Sequence, residues 1–253
     1  MDAVSVIAVI PARYGSTRLP GKALADVSGL PMVVRVWQQA SKAQFLTRVL
    51  VATDDERIAS VVREAGGVAE ITASTHQSGT DRIAEIARRF PADIYLNVQG
   101  DLPFIAPEDL DALAAPMRAD ASIPMATIAT PIIDHEEWRN PNVVKVVCDD
   151  RGDALYFSRS PIPFWRDGST IPAAALRHIG VYGYRLDFLL EFASWPSARL
   201  EQIEKLEQLR AMERGHRIRV VKSVAPSLEV DTPEDLKRAN DLQRANDVTR
   251  ASP

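Results

Sequence analysis

Apolar runs and helical stripes alternate through the first half of the chain. Val4–Ile10 holds six apolar residues in seven, several of them β-branched, as expected of a strand buried on both faces. Met32, Val33, Val36, Trp37 and Ala40 then recur at helical spacing. Further strands are predicted over Arg48–Ala52, Val68–Thr72 and Asp93–Val98. Helices are predicted over Arg57–Ala65, which Gly66-Gly67 stops, Asp81–Phe90 and Pro107–Ala119. This order implies a mostly parallel sheet with helices on both faces.

The second half has a different pattern. Met125–Pro131, Val143–Cys148, Ala154–Ser158 and His178–Tyr184 read as strands with few helices between them, and Pro161–Pro172 as a proline-bearing loop. A helix over Arg199–Arg214, a strand over Ile218–Val224 and a terminal helix from Pro233 follow. The expected fold is one α/β domain over residues 1–253, Rossmann-like, with a smaller and more antiparallel lobe at about 132–200.

Composition narrows the class. At 253 residues, 46% apolar and 25% charged, the chain has ordinary globular values and enough length for a large core. Its net charge of −4 gives no support for nucleic-acid binding. The lone Cys148 excludes an intramolecular disulfide, and its strand position reads as a packed, inert thiol. No apolar run approaches a membrane span, and Asp2 stands where a signal sequence would be basic. A cytoplasmic protein without a membrane partner is expected.

The candidate chemistry begins directly after the first strand, in Ile10-Pro-Ala-Arg13-Tyr-Gly15-Ser16-Thr-Arg18-Leu-Pro-Gly21-Lys22. Two glycines allow backbone N–H groups to approach phosphate oxygens, and Arg13, Arg18 and Lys22 supply opposing charge. No acid occurs from Ala3 to Ala25, so the segment is built for an anionic small molecule. It is not a Walker A loop: five residues separate Gly15 from Gly21, and Ala23 follows Lys22. The dinucleotide pattern G-x-G-x-x-G is absent as well.

The strand Asp93–Val98 runs into Gln99-Gly100-Asp101, which puts Asp101 beyond the carboxyl edge of the sheet, where open α/β folds bind ligands. A carboxylate beside a phosphate loop calls for an intervening cation, so Asp101 is a candidate Mg²⁺ ligand. Asp231, in Val230-Asp231-Thr232-Pro233-Glu234-Asp235, has two readings: a residue of the helix cap, or a second metal carboxylate. Asp54-Asp55-Glu56 reads as the opening of a helix. His76-Gln77-Ser78-Gly79-Thr80 is a polar loop able to read a base or sugar edge. In the second half, Tyr156-Phe157-Ser158-Arg159 and Arg177-His178-Ile179-Gly180-Val181-Tyr182-Gly183-Tyr184 supply a cation, an imidazole and phenols that suit a hydroxylated acid, although a lone strand histidine is as readily structural. His135 and His216 read as surface residues, and no zinc spacing or Ser-His-Asp set is legible. Leu200, Ile203, Leu206 and Leu209 form an expected packed stripe, with the acids of that helix on a solvated face and Lys205 and Arg210 as their partners.

Ile10–Lys22, Val51–Asp54, His76–Arg82, Asn97–Asp101, Asn142–Val146, Ala154–Arg159, Arg177–Arg185, Glu204–Arg210 and Val230–Leu236, in that order, closely resemble the 3-deoxy-manno-octulosonate cytidylyltransferase (CMP-Kdo synthetase) family. The resemblance implies a nucleotidyltransferase-type fold and Mg²⁺-dependent transfer of CMP from CTP to Kdo, for lipopolysaccharide assembly. It implies that Arg13, Ser16, Arg18 and Lys22 hold the triphosphate, with Arg13, Lys22 and Asp101 catalytic. His76, Gln77, Ser78, Gly79, Thr80 and Gln99 would contact CTP, and Asp101 and Asp231 would hold Mg²⁺. Gln99, Arg159, His178, Tyr182 and Glu207 would face the sugar acid, and the lobe at about 132–200 would serve sugar binding and homodimerisation. One departure stands out: the family pattern often has Glu after the aspartate, where this chain has Leu102. A related cytidylyltransferase for 8-amino-Kdo or a sialic acid, and a CTP-binding regulator without turnover, are the alternatives.

Overall fold

The computed structural model describes residues 4–15, 19–166, 168, 170–225 and 228–251. The chain begins with β1 (Val6–Ala12), a 3-10 turn (Lys22–Leu24), the short antiparallel pair β2 (Asp26–Val27) and β3 (Leu30–Pro31), and α1 (Met32–Ala40). β4 (Arg48–Thr53), α2 (Glu56–Glu64), β5 (Val68–Ile71), α3 (Gly79–Arg89), β6 (Ile94–Asn97) and α4 (Pro107–Ala119) follow. Next come β7 (Met125–Pro131), α5 (His135–Arg139), β8 (Lys145–Cys148), β9 (Ala154–Ser158) and β10 (Leu176–Arg185). α6 (Leu186–Ser194), α7 (Arg199–Glu204), α8 (Leu209–Glu213), β11 (Ile218–Lys222) and α9 (Pro233–Ala251) complete the order.

Two compact units result. The first comprises Met1–Asp111 with Ser227–Pro253, and the second Ala112–Pro226. The lobe expected at about 132–200 falls within the second, broader unit.

In the first unit the strands lie in the order β5–β4–β1–β6, all parallel. Val6–Ile10 and all of β6 are buried, which explains why their sequences are continuous apolar runs. β1 reaches two residues beyond the predicted end because Pro11 and Ala12 still register against Ala52 and Thr53. Tyr95 is fully buried on β6, yet its hydroxyl donates to Phe90 O (2.7 Å) and accepts from Ala92 N (2.6 Å). A second cluster, Val27, Met32, Val230 and Ala239, packs the start of α1 against the segment entering α9.

The second unit has β7 between antiparallel β10 and parallel β11, and β8 pairs antiparallel with both β10 and β9. The predicted helix over Arg199–Arg214 is two helices here. Lys205 sits between them at φ 54, in the left-handed region, and ends α7. That break leaves Ile203 70% exposed while Leu206 and Leu209 stay buried, so the expected stripe does not run through. The helix α6 was not anticipated from the sequence; Phe188, Leu189 and Phe192 anchor it.

A non-glycine residue in the left-handed region carries a backbone cost that glycine avoids. Lys205→Gly is therefore expected to leave urea unfolding cooperative and to raise stability by about 0.5–1 kcal/mol.

Candidate active site

The first unit contains a cleft of about 370 Å³ at the carboxyl end of its parallel strands. The segment after β1 contributes Arg13, Gly15 and Lys22, and the loop after β5 contributes His76, Gln77, Ser78 and Gly79. Gln99, Gly100 and Asp101 enter from the end of β6, and Glu229 and Asp231 from the segment before α9. Ser16 and Arg18, expected at the phosphate loop, lie outside the described residues.

Backbone geometry sets the loops. Gly21 has φ +67, a conformation that turns the chain into the 3-10 turn starting at Lys22. At Gly100 a Cβ would sit 3.2 Å from the Pro11 carbonyl oxygen, so the two strand ends approach closely because one has no side chain. Val230 N–H donates to the Asp101 carbonyl (2.9 Å), fastening the Glu229–Asp231 segment beside the Asp101 turn.

Lys22 occupies the centre of the charge pattern. Its Nζ lies 2.6 Å from Asp101 Oδ2 and 2.7 Å from Asp231 Oδ1. Burial opposes the ammonium charge, but the Asp101 charge and the hydrogen bonds donated to both aspartates outweigh it and raise the lysine pKa above its ordinary value. Of the two readings of Asp231, the geometry bears on the helix cap. Thr232 Oγ1 accepts from Asp235 N (3.2 Å) and donates to Asp235 Oδ2 (2.8 Å), so threonine forms the cap of α9. Asp231 turns its carboxylate to Lys22.

Glu229 is the residue that sequence reasoning missed. Asp101, Glu229 and Asp231 each bring one carboxylate oxygen to within 4.8 Å of the others. Like charges at that spacing repel by about 3 kcal/mol at an effective dielectric of 20, which the Lys22 ammonium offsets at Asp101 and Asp231. Glu229 is exposed to the cleft, yet its partial burial and then the Asp101 and Asp231 charges push its pKa up to about 7. The residues fit a divalent cation: the donors are hard oxygens, and Asp101 Oδ1 is buried with no hydrogen-bond partner among the described residues. Leu102 is 3% exposed and packs inward, so no carboxylate is missing from the cleft wall at that position.

The polar loop is fixed by α3. Ser78 caps the helix, accepting from Asp81 N (3.1 Å), while Asp81 accepts from Ser78 N (3.1 Å). His76 Nε2 is 2.7 Å from Glu85 Oε2, and Gln77 donates to Thr75 O. Thr80 is 1% exposed and does not line the cleft, a correction to its expected place in the loop: as the second residue of α3 it is buried in the helix. Arg82 does line the cleft, but its guanidinium is held by Asp54 (3.0 Å) and Thr72. Asp55 caps α2, in keeping with the helix-opening reading of Asp54-Asp55-Glu56.

The remaining expected residues belong to the second unit. Arg159 directs Nε at Glu204 O (2.8 Å) and Nη1 at Pro141 O (2.9 Å), leaving Nη2 without a partner among the described residues. His178 Nε2 lies 2.9 Å from Thr127 Oγ1, whose single proton goes to a carbonyl, 2.7 Å from Val181 O. The imidazole therefore donates through Nε2 and keeps Nδ1 as an acceptor. Burial pushes its pKa down to about 3 and keeps it neutral. The Tyr182 ring is tilted by 48° against that of His178, with centroids 5.3 Å apart, and burial, then the Glu207 charge, hold its phenol protonated. Glu207 is 3.4 Å from Arg210, and Glu201 is 2.5 Å from the same guanidinium. Arg210 is thus the expected partner of two of this segment's acids, while Glu204 turns to Ser158 and Arg159. His216 is half-buried against Trp195 and Phe188, and His135 is half-buried with a buried Nδ1, so neither is the simple surface residue expected. Cys148 is half-buried, with burial pushing its thiol up to about 11, as an inert cysteine requires.

A cytidylyltransferase family model matches residues 7–218. The 3-deoxy-manno-octulosonate cytidylyltransferase of Syntrophotalea carbinolica is 52% identical over 242 residues, covering 93% of this chain and 97% of its own. The enzyme of the same name from Geobacter metallireducens is 51% identical over 93% of this chain and 96% of its own. The chain belongs to the 3-deoxy-manno-octulosonate cytidylyltransferase family. Among solved structures, a CMP:2-keto-3-deoxy-manno-octonic acid synthetase complexed with CTP superposes with a TM-score of 0.91 at 44% identity, over 96% of this chain and 99% of that one. The 4-diphosphocytidyl-2C-methyl-D-erythritol synthase of Anaerococcus prevotii, at TM-score 0.63 and 16% identity, shares the fold. The family fold is therefore the mixed α/β one expected, with its mostly parallel sheet.

Glu229 yields a stability prediction. Its folded pKa lies above the 4.5 of an ordinary glutamate, so the folded state holds more protons and loses stability as pH rises from about 4.5 through 7. Glu229→Gln removes that penalty. In chelator its Tm should exceed that of the unsubstituted protein at pH 8, with the difference vanishing by pH 4.5.

Proposed function

We propose that this chain transfers CMP from CTP to 3-deoxy-D-manno-octulosonate (Kdo), with release of pyrophosphate, in a Mg²⁺-dependent reaction that serves lipopolysaccharide assembly. One observation carries the reading: the phosphate loop after β1 and three carboxylates meet in one cleft, with Lys22 bridging two of them. Relatives named for this activity at 52% and 51% identity support the choice of substrates.

Asp101 and Asp231, with Glu229 beside them, would hold Mg²⁺. Bound there, the ion would neutralise phosphate oxygens and orient the reactants. Arg13 lines the cleft, and its guanidinium is assigned to the triphosphate. Arg13 and Lys22 stabilise the charge that builds on pyrophosphate as the Kdo anomeric oxygen attacks the α-phosphorus in line. Lys22 also screens Asp101 and Asp231 from the incoming anion. The edge formed by His76, Gln77, Ser78 and Gly79 is assigned to cytidine, and Gln99 to the nucleotide and sugar. In the second unit Arg159 is assigned to the sugar-acid carboxylate, since among the described residues its guanidinium is met by carbonyls and by no acid. Neutral His178 offers Nδ1 to a sugar hydroxyl, and Tyr182 and Glu207 complete the polar set. The reading extends to a cytoplasmic homodimer, which light scattering in solution checks.

Pyrophosphate release from CTP, measured with Kdo, 8-amino-Kdo and N-acetylneuraminate separately and with or without Mg²⁺, tests the proposal. Release with Kdo that requires Mg²⁺ is expected. Release with only another sugar acid would change the substrate, and CTP binding without release from any would make the chain a regulator.

Asp101→Ala and Lys22→Ala are each expected to lower turnover by at least about two orders of magnitude, the scale of losing one preorganised charge partner. Near-normal turnover in either would remove the mechanism. UTP should compete poorly with CTP; equal use would remove the base-reading role of the His76–Gly79 loop.

A further inference from the structure

Lys145 is a cation with no exposed surface, and the reaction as described does not use it. It opens β8, opposite Ser158 of β9. All three ammonium protons go to main-chain carbonyls: Nζ lies 2.9 Å from Asn140 O, 2.5 Å from Val143 O and 2.5 Å from Arg159 O. Among the described residues no carboxylate pairs with it. Glu204, the acid whose charge favours the ammonium, directs its oxygens elsewhere, to Ser158 Oγ (2.7 Å) and Arg159 N (2.9 Å). A buried charge without an ion partner is costly, and an apolar side chain of similar length would fill the site at lower cost. Packing alone does not account for a lysine here.

The three carbonyls have one neighbour in common. Arg159 is held at its N–H by Glu204 and at its carbonyl by Lys145. Its guanidinium rests Nη1 on Pro141 O, and Pro141 lies in the turn whose Asn140 and Val143 carbonyls Lys145 also grips. One ammonium thus fixes both the origin of the Arg159 side chain and the turn against which its head lies. Nη2 remains the unpartnered edge. We infer that Lys145 is a positioning residue for sugar-acid recognition, locking Arg159 so that its free guanidinium edge meets the substrate carboxylate. This inference rests on the assignment of Arg159 to that carboxylate.

A double-mutant cycle tests it, with Lys145→Met, Arg159→Lys and the pair, each assayed for thermal melting and for KM of CTP and of Kdo separately. Lys145→Met should melt cooperatively, keep KM for CTP within about twofold and raise KM for Kdo at least tenfold. In the Arg159→Lys background it should add less than about threefold, because the lysine acts through the arginine. Lys145→Gln, which retains two donors, should fall between Met and the unsubstituted protein. An unchanged KM for Kdo in Lys145→Met, an equal rise for both substrates, or full additivity would overturn the inference. So would loss of cooperative melting in both Lys145 variants, which would make the lysine a purely structural residue. An unchanged KM for Kdo in Arg159→Lys is a separate result: it would remove the Arg159 assignment itself.

Discussion

The contact between Lys22 and the paired aspartates organises the cleft. It joins residues 79 and 209 positions away along the chain and brings three segments to one point. Without a positive charge there, the clustered carboxylates would drive those segments apart. With it, an acidic protein presents a cleft in which polyphosphate and carboxylate can lie side by side. The flanking features follow from that need. Gly21 turns Lys22 inward, Gly100 lets the Asp101 turn close on β1, and Val230 clasps Asp101 through the backbone.

Most of the first unit was legible because parallel strands buried on both faces leave continuous apolar runs, as in Val6–Ile10 and Ile94–Asn97. Element ends were less legible, since the pairing that extends β1 through Pro11 and Ala12 is set by a partner strand. In the second unit, the break at Lys205 has no local signature: a lysine gives no warning of a left-handed backbone, and the surrounding leucine spacing continues through it. The short helix α6 was hidden because its anchors, Phe188, Leu189 and Phe192, span barely one turn.

The cleft was readable where a charge stood beside a strand end, as at Arg13, Lys22 and Asp101. It was ambiguous where two jobs suited one residue, and Asp231 is the example: only the Thr232–Asp235 cap shows which residue closes the helix. Glu229 carried a faint signal, since in extended backbone it shares a side with Asp231 two residues on. Thr80 and Ser78 stand two apart in the same motif, yet helix geometry sends one inward and leaves the other at the rim. Lys145 had no signal at all, because its partners are carbonyl groups, which every residue has.

The first unit is discontinuous in sequence, and the segment that closes its cleft is made after the whole second unit. During synthesis the phosphate loop and the Asp101 turn emerge early, but Glu229 and Asp231 follow only after the entire second unit. A growing chain therefore carries an exposed basic loop and an unmatched carboxylate, with Val27 and Met32 lacking Val230 and Ala239 as packing partners. The late segment supplies core and charge together. Completion of the fold and completion of the cleft are one event, so partly made chains hold the elements of the site without its arrangement.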